Sequence, residues 1–117
     1  MERNDIIGYQ FAERIKSELI MGSKMLEVVE LLNGSELEGA KKTMSAFFDL
    51  LAIDVGMALK ATGDKEFGMV KEELDEIERK IEEADYAEAQ ATFGRAVSHT
   101  TTACARTMTA LVEQRLI

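Results

Sequence analysis

No proline interrupts the 117 residues of this chain. The commonest breaker of a helix interior is therefore missing, while Ala, Leu, Met, Glu and Lys, all good helix formers, are plentiful. Helices in such a chain stop only where turn chemistry stops them. Asn33-Gly34 supplies residues that tolerate the left-handed conformation of a C-terminal cap. Ser35 with Glu38 has the spacing of a capping box, which predicts a fresh helix start. Gly63 followed by Asp64 reads as a stop and a new N-cap, and Asp85 with Glu88 forms a further capping box.

Between these stops, apolar residues recur at spacings of three and four, the mark of an amphipathic helix. The first predicted helix covers about 5–32, with Ile7, Phe11, Ile15, Leu19, Gly22, Leu26 and Val29 on one face. Met21, Met25, Val28 and Leu32 add a second stripe, an apolar arc wide enough for more than one neighbour. The second covers 36–61, through Ala40, Met44, Phe47, Phe48, Leu51, Val55, Ala58 and Leu59. The third, 65–84, turns Phe67, Val70, Leu74, Ile77 and Ile81 inward, and the fourth, 86–116, turns Phe93, Val97, Thr101, Cys104, Met108 and Leu111 inward. Connections this short set successive helices antiparallel. The expectation is an all-α, up-down-up-down four-helix bundle forming one domain over 1–117, with 46% apolar residues to fill its core.

A net charge of −8 opposes a nucleic-acid partner, whose phosphates require a basic surface. The charge is concentrated: from Asp64 to Glu88 there are eleven acidic and four basic residues, which makes the third helix a solvated acidic face. The longest apolar run, Met44 to Leu59, contains Asp49 and Asp54, so no membrane span is expected. Cys104 is the single cysteine and the N-terminal residues lack a leader pattern, which points to a cytoplasmic protein.

Two features bear on function. Gly8, Gly22, Gly56, Gly68 and Gly94 fall inside predicted helices, where each costs about 1 kcal/mol relative to Ala. Close helix approach would offset that. Helix four carries a stripe of small residues, Ala91, Ser98, Thr102, Ala105 and Thr109, and helix two has Ser45, Ala52 and Gly56. These form a candidate subunit interface, with a symmetric homodimer as the expected assembly; close packing within one bundle is the alternative. The second feature is the neutral polar run Ser98-His99-Thr100-Thr101-Thr102 in the middle of helix four. If helices two and four face each other, Asp49 can fix the imidazole tautomer. Asp49, Asp54 and His99 are therefore a candidate polar core site, with a purely structural pair as the alternative. No catalytic constellation is complete and no Glu-x-x-His pair of a di-iron bundle is present, so no metal or other cofactor is expected and no small-molecule ligand is indicated.

Some local patterns resemble known families. Glu73-x-x-Glu76 and Glu82-x-x-Asp85 resemble the paired magnesium-binding motifs of MazG-like nucleotide pyrophosphohydrolases, although here they share one predicted helix; Glu27-x-x-Glu30 with Glu72-x-x-Asp75 uses two helices at a longer gap. His99-Thr100-Thr101-Thr102-Ala103 is similar in placement to the motif of histidine phosphotransfer domains, without its lysine and glycine. Arg95-x-x-x-His99 resembles the Arg–His pairing of HEPN ribonucleases, one residue short. In composition and length the whole chain resembles small helical proteins of heat-loving archaea, a likeness that implies a compact bundle and no activity. The leading expectation is a non-enzymatic bundle that self-associates or docks a partner helix through its small-residue and Met-rich faces. The alternatives are a metal-dependent nucleotide- or phosphate-handling enzyme and a histidine phosphotransfer module.

Overall fold

A computed structural model describes residues 2–114, with side chains from Asp5 onward. Four helices follow one another: α1 (Glu2–Val29), α2 (Gly34–Thr62), α3 (Lys65–Glu82) and α4 (Tyr86–Glu113). Neighbours run antiparallel. Arg14 of α1 meets Asp54 of α2, whereas Gly8, nearer the start of α1, lies beside Thr62. Likewise Ser23 bonds Gln90 of α4 while Asp5 bonds Gln114. The contacts close a ring, α1 to α2 to α3 to α4 and back to α1, which leaves α1/α3 and α2/α4 on the diagonals. The fold is an all-α, up-down-up-down four-helix bundle, 54 × 20 × 19 Å.

The turns explain these boundaries. Gly63, just past the end of α2, and Gly34, which opens α2 rather than capping α1, take the left-handed conformation at φ +67° and +59°, which glycine adopts without steric cost. α1 stops at Val29, earlier than Leu32, because its last turn tightens: the N–H groups of Leu31 and Leu32 bond the carbonyls of Val28 and Val29 at 3.0 and 3.1 Å. The Ser35–Glu38 box does not form, since α2 already begins at Gly34 with Asn33 in the cap position. Asp64 caps α3 as expected, accepting from the Glu66 N–H at 3.0 Å. Asp85 caps α4 through the Glu88 N–H at 3.3 Å, but the Glu88 carboxylate turns to Arg95 and leaves that box half made. α3 ends at Glu82, two residues short of its predicted end, in a turn where Ala84 sits at φ 58°. There the Ala84 and Asp85 N–H groups bond Ile81 and Lys80 carbonyls at 3.0 and 2.9 Å, the two bonds of a Schellman motif. The predicted end of helix four at 116 lies outside the described residues.

Ile15, Leu19, Leu26, Leu51, Val55, Val70, Ile77 and Phe93 fill the core at almost no exposure. Phe48 and Phe93 stack across the α2/α4 diagonal with ring centroids 5.8 Å apart, and Phe47 meets Phe48 edge-on at 6.0 Å. Gly22 makes room for this cluster: a Cβ there would lie 2.9 Å from Phe93 and 3.0 Å from Phe47. α3 buries the five residues assigned to it, and Glu66 besides. α4 is rotated relative to its predicted face. Ala89, Thr92, Ala96, Thr100, Ala103 and Thr107 are buried with Phe93, Cys104 and Leu111, while Thr101 is exposed and Val97 and Met108 are half-buried. Small side chains line the inner face of α4 because α1 and α3 approach it from both sides. The buried threonines satisfy their hydroxyls on their own helix: Thr92 on the Glu88 carbonyl, Thr100 on Val97, and Thr107 on Ala103 and Cys104.

Candidate functional site

The three residues read as a polar core site lie in three places. Because α2 and α4 are diagonal, Asp49 and His99 do not meet. Asp49 is exposed on the α3 side of α2, where it and Asp75, together with burial as the larger cause, push the Glu78 carboxyl upward. Asp54 pairs with Arg14 of α1 at 3.3 Å. His99 turns to α3 instead. Its Nδ1 lies 2.7 Å from Glu66 Oε2 and its Nε2 lies 3.4 Å from Glu73 Oε2.

His99 is one rung of a ladder. Arg95, His99 and Arg106 are the only basic side chains of α4, and each meets an acid of α3 or of its cap. Arg106 pairs with Asp64, His99 with Glu66 and Glu73, and Arg95 with Glu76 at 3.8 Å and with Glu88 of its own helix at 3.4 Å. The ladder joins the most acidic helix to the helix that offers it cations. Glu73 keeps one oxygen, Oε1, buried without a hydrogen-bond partner, and burial raises its carboxyl above the usual range against the pull of His99 and Arg95. Both imidazole nitrogens face carboxylates, so a protonated ring satisfies both and a neutral ring only one.

The acids in the two-motif patterns also part company. Glu73 faces His99, Glu76 faces Arg95, Glu82 pairs with Lys41 at 3.3 Å, and Asp85 caps α4. Glu27 and Glu72 sit on diagonal helices and are both exposed. Among the described residues no three His, Cys, Asp or Glu side chains are grouped to hold a metal ion.

Two further titratable groups lie between helices. Glu18, beside Asp54 on the α1/α2 edge, has its carboxyl pushed up to about 7, first by burial and then by the neighbouring carboxylate. Cys104 donates its S–H to Glu13 Oε1 at 2.9 Å; burial, then that carboxylate, raises the thiol to about 11. At neutral pH it is a protonated thiol and a poor nucleophile.

The small-residue interface candidates face outward. Ala91, Ser98, Thr102, Ala105, Thr109 and Ser45 are exposed, and Ala52 and Gly56 are half-buried. The glycines divide. Gly22 and Gly8 are close-packing positions within the bundle, since a Cβ at Gly8 would lie 3.1 Å from Thr107. A Cβ at Gly56 or Gly94 would meet nothing within 4 Å, so close packing inside the bundle does not explain them.

Five large apolar side chains on the α1/α2 edge, Met21, Val28, Leu50, Ile53 and Met57, are 53%, 57%, 65%, 60% and 52% exposed. Helical spacing sets Leu50, Ile53 and Met57 on one line of α2 with Thr43 and Ala46, and sets Met21, Met25 and Val28 on the flank of α1 turned toward it. An open apolar groove of about 310 Å³, lined by Met25, Val28, Val29, Ala40, Thr43 and Met44, lies at one end of this edge, between the end of α1 and the first turns of α2. The second stripe of helix one announces half of this face. The α2 half is hidden in the sequence because Leu50, Ile53 and Met57 lie inside a nearly continuous apolar run, where periodicity cannot separate an inner stripe from an outer one. Among the described residues no helix is long and apolar enough to cross a membrane.

No known protein family, curated protein or solved structure matches the chain.

Proposed function

We propose that the protein is a non-enzymatic interaction module whose working surface is the apolar α1/α2 edge, through which it self-associates or holds a partner helix. The observation that carries this reading is the row of Leu50, Ile53 and Met57 on α2, each more than half exposed at a spacing of three and four residues. Singly scattered exposed aliphatics are normal on a protein surface. Here Leu50, Ile53 and Met57 line up on α2, Met21 and Val28 lie on the flank of α1 turned toward it, and Val28 also lines a groove; exposed apolar groupings of this kind mark association sites. A groove between two helices accepts the apolar face of a third by ridge-into-groove packing. The polar clusters favour structural roles: His99 has a carboxylate at each nitrogen, which repels a phosphoryl group rather than stabilising it.

The test is a charge placed in the face. Leu50→Glu puts a carboxylate at an exposed helical position and leaves the core intact. Wild-type protein should either sediment as an assembly or bind the apolar dye ANS in its native state, and Leu50→Glu should abolish whichever is seen. Wild-type protein that does neither would sink the reading.

A further inference from the structure

We infer that the occupant of this face is a second copy of the chain, docked with α2 antiparallel to its own counterpart; the inference rests on the interaction-module reading above. Thr43, Ala46, Leu50, Ile53, Met57 and Lys60 are spaced three, four, three, four and three residues apart, and all are exposed. That alternation is the seam of a helix that packs against another over several turns. The seam is complementary to itself. Run antiparallel with Leu50 opposite Ile53 of the second copy, it sets Met57 opposite Ala46 and Lys60 opposite Thr43. Each long side chain meets a short one, and the two central aliphatics meet each other. A two-fold axis generates the same contacts twice, as a symmetric dimer requires.

Charge separates a second copy from other partners. Of the net −8, the segment from Asp64 to Glu88 carries −7, so the excess of negative charge sits on α3 and the turns beside it. A basic partner would be drawn to that side. A copy of this same acidic chain can dock along α2 without burying a charge, because the seam from Thr43 to Met57 bears none and the neighbouring Asp54 is held by Arg14 at 3.3 Å.

The experiment is native mass spectrometry with sedimentation on wild type, Ile53→Glu and Thr102→Glu, with ANS binding and far-ultraviolet circular dichroism on each. A wild-type dimer that Ile53→Glu converts to a fully helical monomer, with Thr102→Glu still dimeric, is the expected result. The register is checked by mixing Leu50→Cys and Ile53→Cys chains, each in a Cys104→Ser background, where the mixed disulfide should form in preference to either homodisulfide. A wild-type monomer that binds ANS, with dye binding lost in Ile53→Glu, overturns the dimer and leaves the docking reading standing. A monomer that binds no dye overturns both. A dimer that survives Ile53→Glu overturns the inference, and its loss in Thr102→Glu would move the interface to the small-residue face of α4.

Discussion

His99 holds Glu66: the imidazole Nδ1 stands 2.7 Å from Glu66 Oε2, on a residue only 8% exposed. A buried carboxylate left without its partner retains its desolvation cost. His99→Leu should therefore destabilise the bundle by about 1–3 kcal/mol, below the value for a fully buried pair because the imidazole is part-exposed. Glu66→Leu together with His99→Leu should recover part of that loss, since one of the two carboxylates that faced the imidazole is gone while Glu73 stays unpaired. Urea unfolding of the single and double variants measures this, and a single-variant effect under about 0.5 kcal/mol would make the contact idle.

Glu18 sets a pH dependence. Its carboxyl titrates at about 7 in the folded protein against an ordinary 4.5, so the fold binds its proton more tightly than the unfolded chain does. The stability tied to that proton is full below pH 4.5 and is lost as pH rises through about 7. Glu18→Gln keeps a neutral side chain throughout. Its Tm should approach that of wild type near pH 4.5 and exceed it increasingly as pH rises through about 7; a constant gap would contradict the assignment.

The α3–α4 turn carries removable strain. Ala84 is the only non-glycine residue at positive φ among those described, at 58°, and an L-residue there costs roughly 1–2 kcal/mol. Ala84→Gly should stabilise by about 0.5–1 kcal/mol after the added freedom of the unfolded chain is subtracted. Chemical denaturation would read the gain as a higher midpoint at unchanged slope.

Glycines in the same kind of helix should respond oppositely to alanine. At Gly22 a Cβ meets two rings at 2.9–3.0 Å, so Gly22→Ala should cost about 1–3 kcal/mol through overpacking. At exposed Gly94, with open space around it, Gly94→Ala should gain about 0.8–1 kcal/mol from helix propensity. Thermal melts of the pair decide it, and a loss at Gly94 would mean that something covers that face.

Cys104 should be slow to react. With its thiol at about 11 and hydrogen-bonded to Glu13, labelling by a disulfide reagent near neutral pH should proceed far more slowly in folded protein than in urea. Comparable rates would show that the thiol is open.

The architecture was legible because each of its determinants is local. Gly63 and Asp64 act through backbone conformation and one hydrogen bond, and the stripe of α3 is a clean amphipathic pattern whose five apolar residues all proved buried. The face of α4 was less legible. Its inner positions Ala89, Ala96, Thr100 and Ala103 are small, and a reading weighted by side-chain size prefers Val97 and Met108 one position round. The partner of His99 could not be read at all. Asp49 and Glu66 are equally credible acids in sequence, and only the ring order of the helices puts Glu66 beside the imidazole and Asp49 on the far side of α2.

The acidic character of α3 acquires a further meaning from its place diagonal to α1. A rod with one greasy edge is at risk of stacking without limit, because any second sticky surface turns pairs into fibres. In this rod the remaining flank bears clustered carboxylates. If two copies join through that edge as inferred above, the flanks left outward would repel further copies and growth would halt at a closed, discrete particle.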